Sequence, residues 1–148
     1  MIKNYTSTVP ALRSINAIES NLVKHGARNI LKTYTPQGKI EGLAFILEVT
    51  GKKMPFKLPA RVDRVAAKLK ESIKKPRKDT LKRVADQAER TSWKILSDWV
   101  GIQMALIDLD QAKIMEVFLP YLYDHNKQTT YFEQLESNDF KQLTFIKE

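Results

Sequence analysis

The sequence contains no cysteine among its 148 residues, and it has only two histidines and five glycines. Without cysteine the chain cannot form disulfides, zinc–thiolate sites, iron–sulfur clusters or a thiol nucleophile. His25 and His125 are far apart in the sequence, and neither has the spacing of a metal-binding pair. The glycines form no Walker loop and no Gly-x-Gly-x-x-Gly phosphate motif. We therefore predict neither a metal nor a cofactor.

The chain also lacks long apolar segments. No uninterrupted apolar run approaches the roughly 20 residues that a membrane-spanning helix needs. The first residues, MIKNY, have no apolar core of the kind found in signal peptides. The absence of cysteine agrees with a reducing cytosol. We expect a soluble, cytoplasmic protein with no membrane partner.

Groups that would support catalysis are scarce. Asp108, Asp110 and Glu116 are close in sequence, but carboxylates two positions apart on a helix diverge by about 200°. No serine has the flanking glycines of a nucleophile elbow. We predict no catalytic residues and expect that the protein is not an enzyme.

Positive charge is what the sequence has in excess, with a formal net charge of +8. Residues 1–60 carry a net charge of +6, residues 61–94 carry +7, and residues 95–148 carry −5. This asymmetry favours a polyanionic partner for the basic part of the chain. The alternative is that the lysines and arginines only keep the surface solvated.

The order of apolar patterns predicts the fold. A first helix runs from Val9 or Ser14 to His25, and three strands follow, separated by turns at 35–38 and 50–53. Pro55 cannot donate a ladder hydrogen bond, so the third strand is expected at an edge. The sequence therefore predicts an α+β fold: a helix, a three-stranded antiparallel meander, then two or three helices including one long amphipathic helix.

We expect one domain over residues 1–148. Residues 1–60 form the helix and the meander, residues 61–122 form a helical part with a basic turn, and residues 123–148 form a C-terminal tail. Within the helical part, a proline-containing run over 74–78 breaks the helix that follows Pro59, and Asp79 or Thr80 caps the next one.

The long helix has a nearly heptad apolar seam from Val84 to Leu109, which other apolar residues widen. We expect the meander to pack on this helix. The predicted core consists of Leu43, Phe45, Leu47, Ile95, Trp99, Ile102 and Leu106. Because the stripe is wide, it can also leave apolar surface for a partner helix, so a homodimer is a further alternative.

A cluster of cations is the main functional signal. The candidate nucleic-acid-binding residues are Arg61, Arg64, Lys68, Lys70, Lys74, Lys75, Arg77, Lys78, Lys82 and Arg83. Their segment contains none of the aromatic residues on which single-strand binders stack bases. The pattern therefore indicates contact with a phosphate backbone or a groove, and carries no information about base sequence.

The α-β-β-β-α order resembles the topology of double-stranded-RNA-binding domains. Those domains carry a Lys-Lys-x-Ala-Lys start to the second helix and a Gly-Pro-x-His loop. Here the helix starts Pro59-Ala60-Arg61-Val62 and the first turn reads Pro36-Gln37-Gly38-Lys39. Both motifs are absent, so the likeness is one of element order alone.

A second likeness is distributed over nearly the whole chain. It is carried by the segments Tyr5–Pro10, Val23–Ala27, Pro55–Ala60, Gln87–Arg90, Trp93–Ile95 and Glu116–Tyr121. In these segments the chain resembles a family of small uncharacterised proteins from phages, prophages and other bacterial mobile elements. The resemblance implies a bacterial cytoplasmic setting and a role connected with nucleic acid, and it implies no catalytic residues.

Two functions follow as expectations. The first is a non-enzymatic accessory protein that contacts DNA or RNA through the basic helical surface. The second is a protein-binding regulator, an inhibitor or enhancer, of a host nucleoprotein effector such as a CRISPR or restriction complex.

Overall fold

The structure, a computed structural model, describes residues 2–147. Its elements are α1 (Ala11–Lys24), β1 (Asn29–Tyr34), β2 (Ile40–Val49), β3 (Lys52–Pro59), α2 (Val62–Lys70), α3 (Lys78–Asp108), α4 (Ile114–Phe118), a 3₁₀ turn (Leu119–Tyr121), β4 (Tyr123–Asp124), β5 (Thr129–Thr130) and α5 (Tyr131–Ser137). The predicted α+β fold is confirmed, with one helix before the sheet and the 31-residue α3 among those after it. Between residues 2 and 147, no helix is both long and apolar enough to cross a membrane.

The first three strands form an antiparallel sheet in the order β1-β2-β3. Phe45 in the central strand lies opposite Ile30 on one side and Phe56 on the other. The edge position predicted for β3 from Pro55 is confirmed. The far side of β3 is not bare, since Phe56 forms a single bridge with Leu122.

One face of this sheet is covered by α1 and α3. The helices and the sheet share one core cluster, because apolar residues repeat every second position in β2 and every three or four positions in the helices. Its largest fully buried side chains are Trp93, Phe45, Phe56, Phe118, Ile15, Ile18, Leu22, Leu43, Leu47, Leu58, Met104 and Val100.

A glycine follows the end of α1. Gly26 adopts a φ of 102°, which residues with a Cβ atom rarely reach, and His25 is the C-cap. The amide of Ala27 then donates to the Leu22 carbonyl at 2.9 Å. This turn directs the chain from α1 into β1.

The predicted orientation of α3 is partly wrong. Leu43, Phe45 and Leu47 are buried as predicted, but Ile102 is 58% exposed and Ile95, Trp99 and Leu106 are only half-buried. The fully buried face of the helix instead carries Trp93, Val100 and Met104. The reason is that α3 has different partners along its length. α2 packs on its first part, whereas the rest of α3 contributes Trp93, Val100 and Met104 to the core cluster that it shares with α1 and the sheet.

Phe118, at the end of α4, closes the sheet–helix core. Its ring centroid lies 5.6 Å from that of Phe45, 5.9 Å from Phe56 and 5.9 Å from Trp99. Pro120 lies inside the 3₁₀ turn that follows. Phe118 therefore connects both strands and α3 to the C-terminal part of the chain.

The C-terminal tail is more structured than predicted. It contains the two-residue strands β4 and β5 and the short helix α5. That helix, α5, begins with a capping box: the Thr130 amide donates to Glu133 Oε1 at 2.9 Å, and the Glu133 amide donates to Thr130 Oγ1 at 3.2 Å. Each side chain thus satisfies an amide that the helix start leaves unpaired.

Candidate nucleic-acid interface

The basic segment forms a helical hairpin that projects from the body of the protein. α2 and the first part of α3 pack side by side, joined by the loop of residues 71–77. No residue from Arg61 to Gln87 is buried, whereas Ala88 is fully buried. The hairpin of residues 61–83, called here the cationic hairpin, therefore contributes no fully buried residue to the core, and its root packs against the core through Val62.

All ten candidate residues are on this hairpin, and all ten are exposed. Arg61 precedes α2, which carries Arg64, Lys68 and Lys70; the loop carries Lys74, Lys75 and Arg77; and α3 begins with Lys78, Lys82 and Arg83. Together with three acidic residues they give the hairpin a net charge of +7.

Few of these cations are paired within the protein. Lys68 lies 3.2 Å from Glu71. For the other nine, no carboxylate oxygen of the part of the chain from 2 to 147 lies within 4.0 Å. Most of the charge is therefore free to meet an external anion, with little internal pairing to break.

The loop ends differ from the sequence expectation. α3 begins at Lys78 with Arg77 as N-cap, and no side chain caps it, so Asp79 and Thr80 lie in the first turn instead of capping it. Lys75 supplies the sharp turn with a φ of 49°. A left-handed conformation costs a residue with a Cβ atom about 1–2 kcal/mol.

The cations occupy both faces of the hairpin, because successive residues of a helix are about 100° apart. Arg64 and Lys68 fall on one side of the apolar face of α2, and Lys70 falls on the other side. On α3, Arg83 falls on one side of the surface that packs on α2, and Lys82 falls on the other side. In the antiparallel pair, the first face carries Arg64, Lys68 and Arg83, and the second carries Lys70, Lys78 and Lys82. We call them the Arg83 face and the Lys82 face.

Two clefts open beside the hairpin and agree with this assignment. A cleft of about 590 Å³ lies on the Arg83 face and is also lined by Leu69, Val84 and Arg90. A cleft of about 670 Å³ lies at the root of the other face, between Ala66, Ala85 and the sheet. The second cleft has both acidic and basic side chains at its rim, including Glu89, which lies 3.2 Å from Lys39.

The root of the hairpin is tied to the N-terminal turn. Gln87 Nε2 and Arg90 Nε both donate to the Ser7 carbonyl, at 3.1 and 3.2 Å. The segments Tyr5–Pro10 and Gln87–Arg90, which both carry the resemblance described above, therefore contact each other here. This contact was not predicted, since residues eighty positions apart show no local periodicity in common. It gives these residues a structural role at the point where the hairpin leaves the body.

A second contact of the N-terminal turn lies further along α3. The Asn4 side-chain amide donates to Asp98 at 2.9 Å, and Lys94 lies 2.8 Å from the same carboxylate. Burial acts to raise the pKa of Asp98, but the hydrogen bonds from Lys94 and Asn4 outweigh it and hold the pKa below its usual value. The carboxylate is therefore ionised at neutral pH and holds the turn in place.

Arg61 is also near an acidic residue of the tail. The pKa of Glu133 is below its usual value, mainly because the Thr130 amide donates to the carboxylate; the Thr130 hydroxyl and the positive charges of Arg61 and Lys57 act in the same direction. Among the ten candidates, Arg61 therefore has a partial electrostatic role within the fold.

His25 and Asp108 form a pair that the sequence did not indicate. His25 Nε2 lies 2.8 Å from Asp108 Oδ1, and Nδ1 lies 2.8 Å from the Asn21 carbonyl. The contact joins the end of α1 to the end of α3. Among residues 2–147, no three histidine or carboxylate side chains are grouped so that they could hold a metal ion.

Comparisons with protein-family models, with curated proteins and with solved structures found no match.

Proposed function

We propose that this chain is a nucleic-acid-associated accessory protein of the phage or mobile-element type, acting in the cytoplasm without catalysing a reaction. The cationic hairpin contacts the phosphates of DNA or RNA. The observation that carries this proposal is the set of nine exposed cations without a carboxylate partner. They lie on a hairpin in which no residue is fully buried. Unpaired cations of this kind displace condensed counterions from a nucleic acid, which is the main source of backbone affinity.

The composition of the hairpin favours backbone contact over base stacking. Residues 57–92 contain no aromatic residue, and the nearest one in α3, Trp93, is fully buried. Binding through this surface would therefore depend on salt and be nearly independent of base sequence.

A protein-binding role has an observation of its own. On the second half of α3, Ile102 is 58% exposed and Leu109 is 68% exposed, and residues 95–148 carry a net charge of −5. If the chain regulates a nucleoprotein effector such as a CRISPR or restriction complex, these side chains would be anchors for the protein component.

A salt titration tests the proposal. Affinity for a fluorescent DNA or RNA oligomer is measured at several salt concentrations for the wild type and for a variant of the loop and of the first residue of α3. The variant combines Lys74→Gln, Lys75→Gln, Arg77→Gln and Lys78→Gln. If each of these cations neutralises one phosphate of a duplex, the log–log salt slope flattens by up to about 3.6, from roughly 0.9 per phosphate.

The competing results are distinct. Identical curves for the variant and the wild type would contradict the proposal. Weak binding of all free nucleic acids at physiological salt, with a cellular complex that survives nuclease and is lost on Ile102→Ala, would favour the protein-binding role.

A further inference from the structure

The distribution of charge on the cationic hairpin bears on which nucleic acid it fits. We infer that the hairpin enters the major groove of double-stranded DNA end-on, with its Arg83 face against the phosphates of one strand and its Lys82 face against those of the other. This inference rests on the proposed function and adds to it the class of nucleic acid and the mode of contact.

The first argument is that the hairpin is charged on two opposite faces. A single strand or one edge of a duplex offers one row of phosphates, and a protein that binds it needs cations on one face only. Here each face carries three exposed cations, and the loop between the helices carries three more. A surface with cations on both faces matches a groove, which has a row of phosphates on each side.

The second argument is size. From one charged face to the other, the hairpin is one helix thick. An α-helix with its side chains is about 10–12 Å in diameter. The major groove of B-form DNA is about 12 Å wide and about 8.5 Å deep. The second helix of the hairpin then lies along the groove and adds nothing to the thickness.

The third argument is reach. The first buried residue of α3 is Ala88, and the helix starts ten residues earlier at Lys78. Because the sheet still lies beside Ala85 at the cleft described above, the free part of α3 runs from Lys78 to Ala85. At 1.5 Å per residue this is about 10 Å, which slightly exceeds the depth of the groove. The body of the protein therefore does not prevent the hairpin from entering the groove between its two rows of phosphates.

Double-stranded RNA and single-stranded nucleic acid fit the hairpin less well than double-stranded DNA. The major groove of A-form RNA is narrow and deep, so an element of this thickness cannot enter it. A single strand can engage only one charged face at a time, and no aromatic side chain between residues 57 and 92 compensates by stacking on its bases.

Two matched variants test this arrangement, each removing three charges. The first combines Arg64→Gln, Lys68→Gln and Arg83→Gln; the second combines Lys70→Gln, Lys78→Gln and Lys82→Gln. A control with the same charge change outside the hairpin combines Lys24→Gln, Lys127→Gln and Lys141→Gln. All nine residues are exposed, so unfolding midpoints should stay close to that of the wild type.

Fluorescence anisotropy is measured with a duplex DNA, the duplex RNA of the same sequence and the single-stranded DNA. We expect both hairpin variants to lose affinity for duplex DNA by up to about 100-fold at roughly 0.15 M salt, since three phosphate contacts contribute about 2.7 to the salt slope. The control variant should stay within a few-fold of the wild type, and wild-type affinity should be highest for duplex DNA.

The outcomes separate this inference from the function on which it rests. If only one hairpin variant loses affinity, or if duplex RNA or single-stranded DNA binds as tightly as duplex DNA, groove entry is wrong while backbone binding stands. If none of the three nucleic acids binds in a salt-dependent way, both the inference and the proposed function are wrong.

Discussion

Replacing Phe118 by alanine should destabilise the whole domain, because this one side chain connects the sheet, α3 and the C-terminal part. The ring is fully buried, and three aromatic rings lie within 6 Å of its centroid. A buried phenylalanine replaced by alanine costs about 3–5 kcal/mol through lost transfer energy and the cavity that remains. Tertiary contacts with the three rings place the expected value in the upper half of that range.

Such a loss is a large part of the stability of a domain, which is typically about 5–15 kcal/mol. Urea unfolding followed by far-ultraviolet circular dichroism measures it without relying on Trp99, whose fluorescence would change locally. Leu119→Ala is the matched control, since that neighbouring side chain is 38% exposed and should cost much less. A loss below about 1 kcal/mol for Phe118→Ala would refute the conclusion that the C-terminal part closes the core.

Other changes have expected directions. Lys75→Gly should raise the free energy of unfolding by about 0.5–1 kcal/mol, since the relief of the left-handed conformation exceeds the added chain entropy; Lys74→Gly should lower it, and the opposite order in urea unfolding would contradict the assignment of the turn. Trp93→Ala should lower the free energy of unfolding by about 3–5 kcal/mol, and Ile102→Ala by well under half of that, because Trp93 is fully buried and Ile102 is mostly exposed. Equal losses would mean that Ile102 belongs to the core, as the sequence predicted. Because the pKa of Glu133 is lowered in the folded state, its contribution to stability is present above the pKa of an unfolded glutamate, about 4.3, and is lost as the pH falls through the lower folded value. Glu133→Gln should therefore weaken the acid dependence of the thermal midpoint. An unchanged dependence would contradict the capping role of Glu133.

Local patterns were sufficient to predict the first helix, the three-stranded sheet and the long helix α3. The turns with Gly38 and Gly51 and the alternation in β2 place the three strands correctly, since their geometry depends on neighbouring residues. The position of Pro55 on an edge strand also follows from its own chemistry. Element order and the exposure of the cations were accessible for the same reason.

The partners of α3 were not accessible in this way. Periodicity shows that Ile102 lies on an apolar stripe. It does not show that α2 covers only the first part of α3 and leaves Ile102 uncovered. Only the assembled structure shows that Trp93 and Val100 belong to the core and that Ile102 remains exposed. The same limit applies to the two-sided charge of the hairpin, because opposite faces are defined only once α2 and α3 are paired.

The separation of the cationic hairpin from the core also has a consequence for its dynamics. Because no side chain from Arg61 to Gln87 is buried, this part can unfold locally at a much lower free energy than the sheet or α1. Its backbone amides should then exchange with solvent far faster than those of β2. The apparent affinity for a ligand that binds only the closed hairpin is the intrinsic affinity multiplied by the fraction of molecules in which the hairpin is closed. A substitution that strengthens α2 therefore raises the apparent affinity only by as much as it raises that fraction.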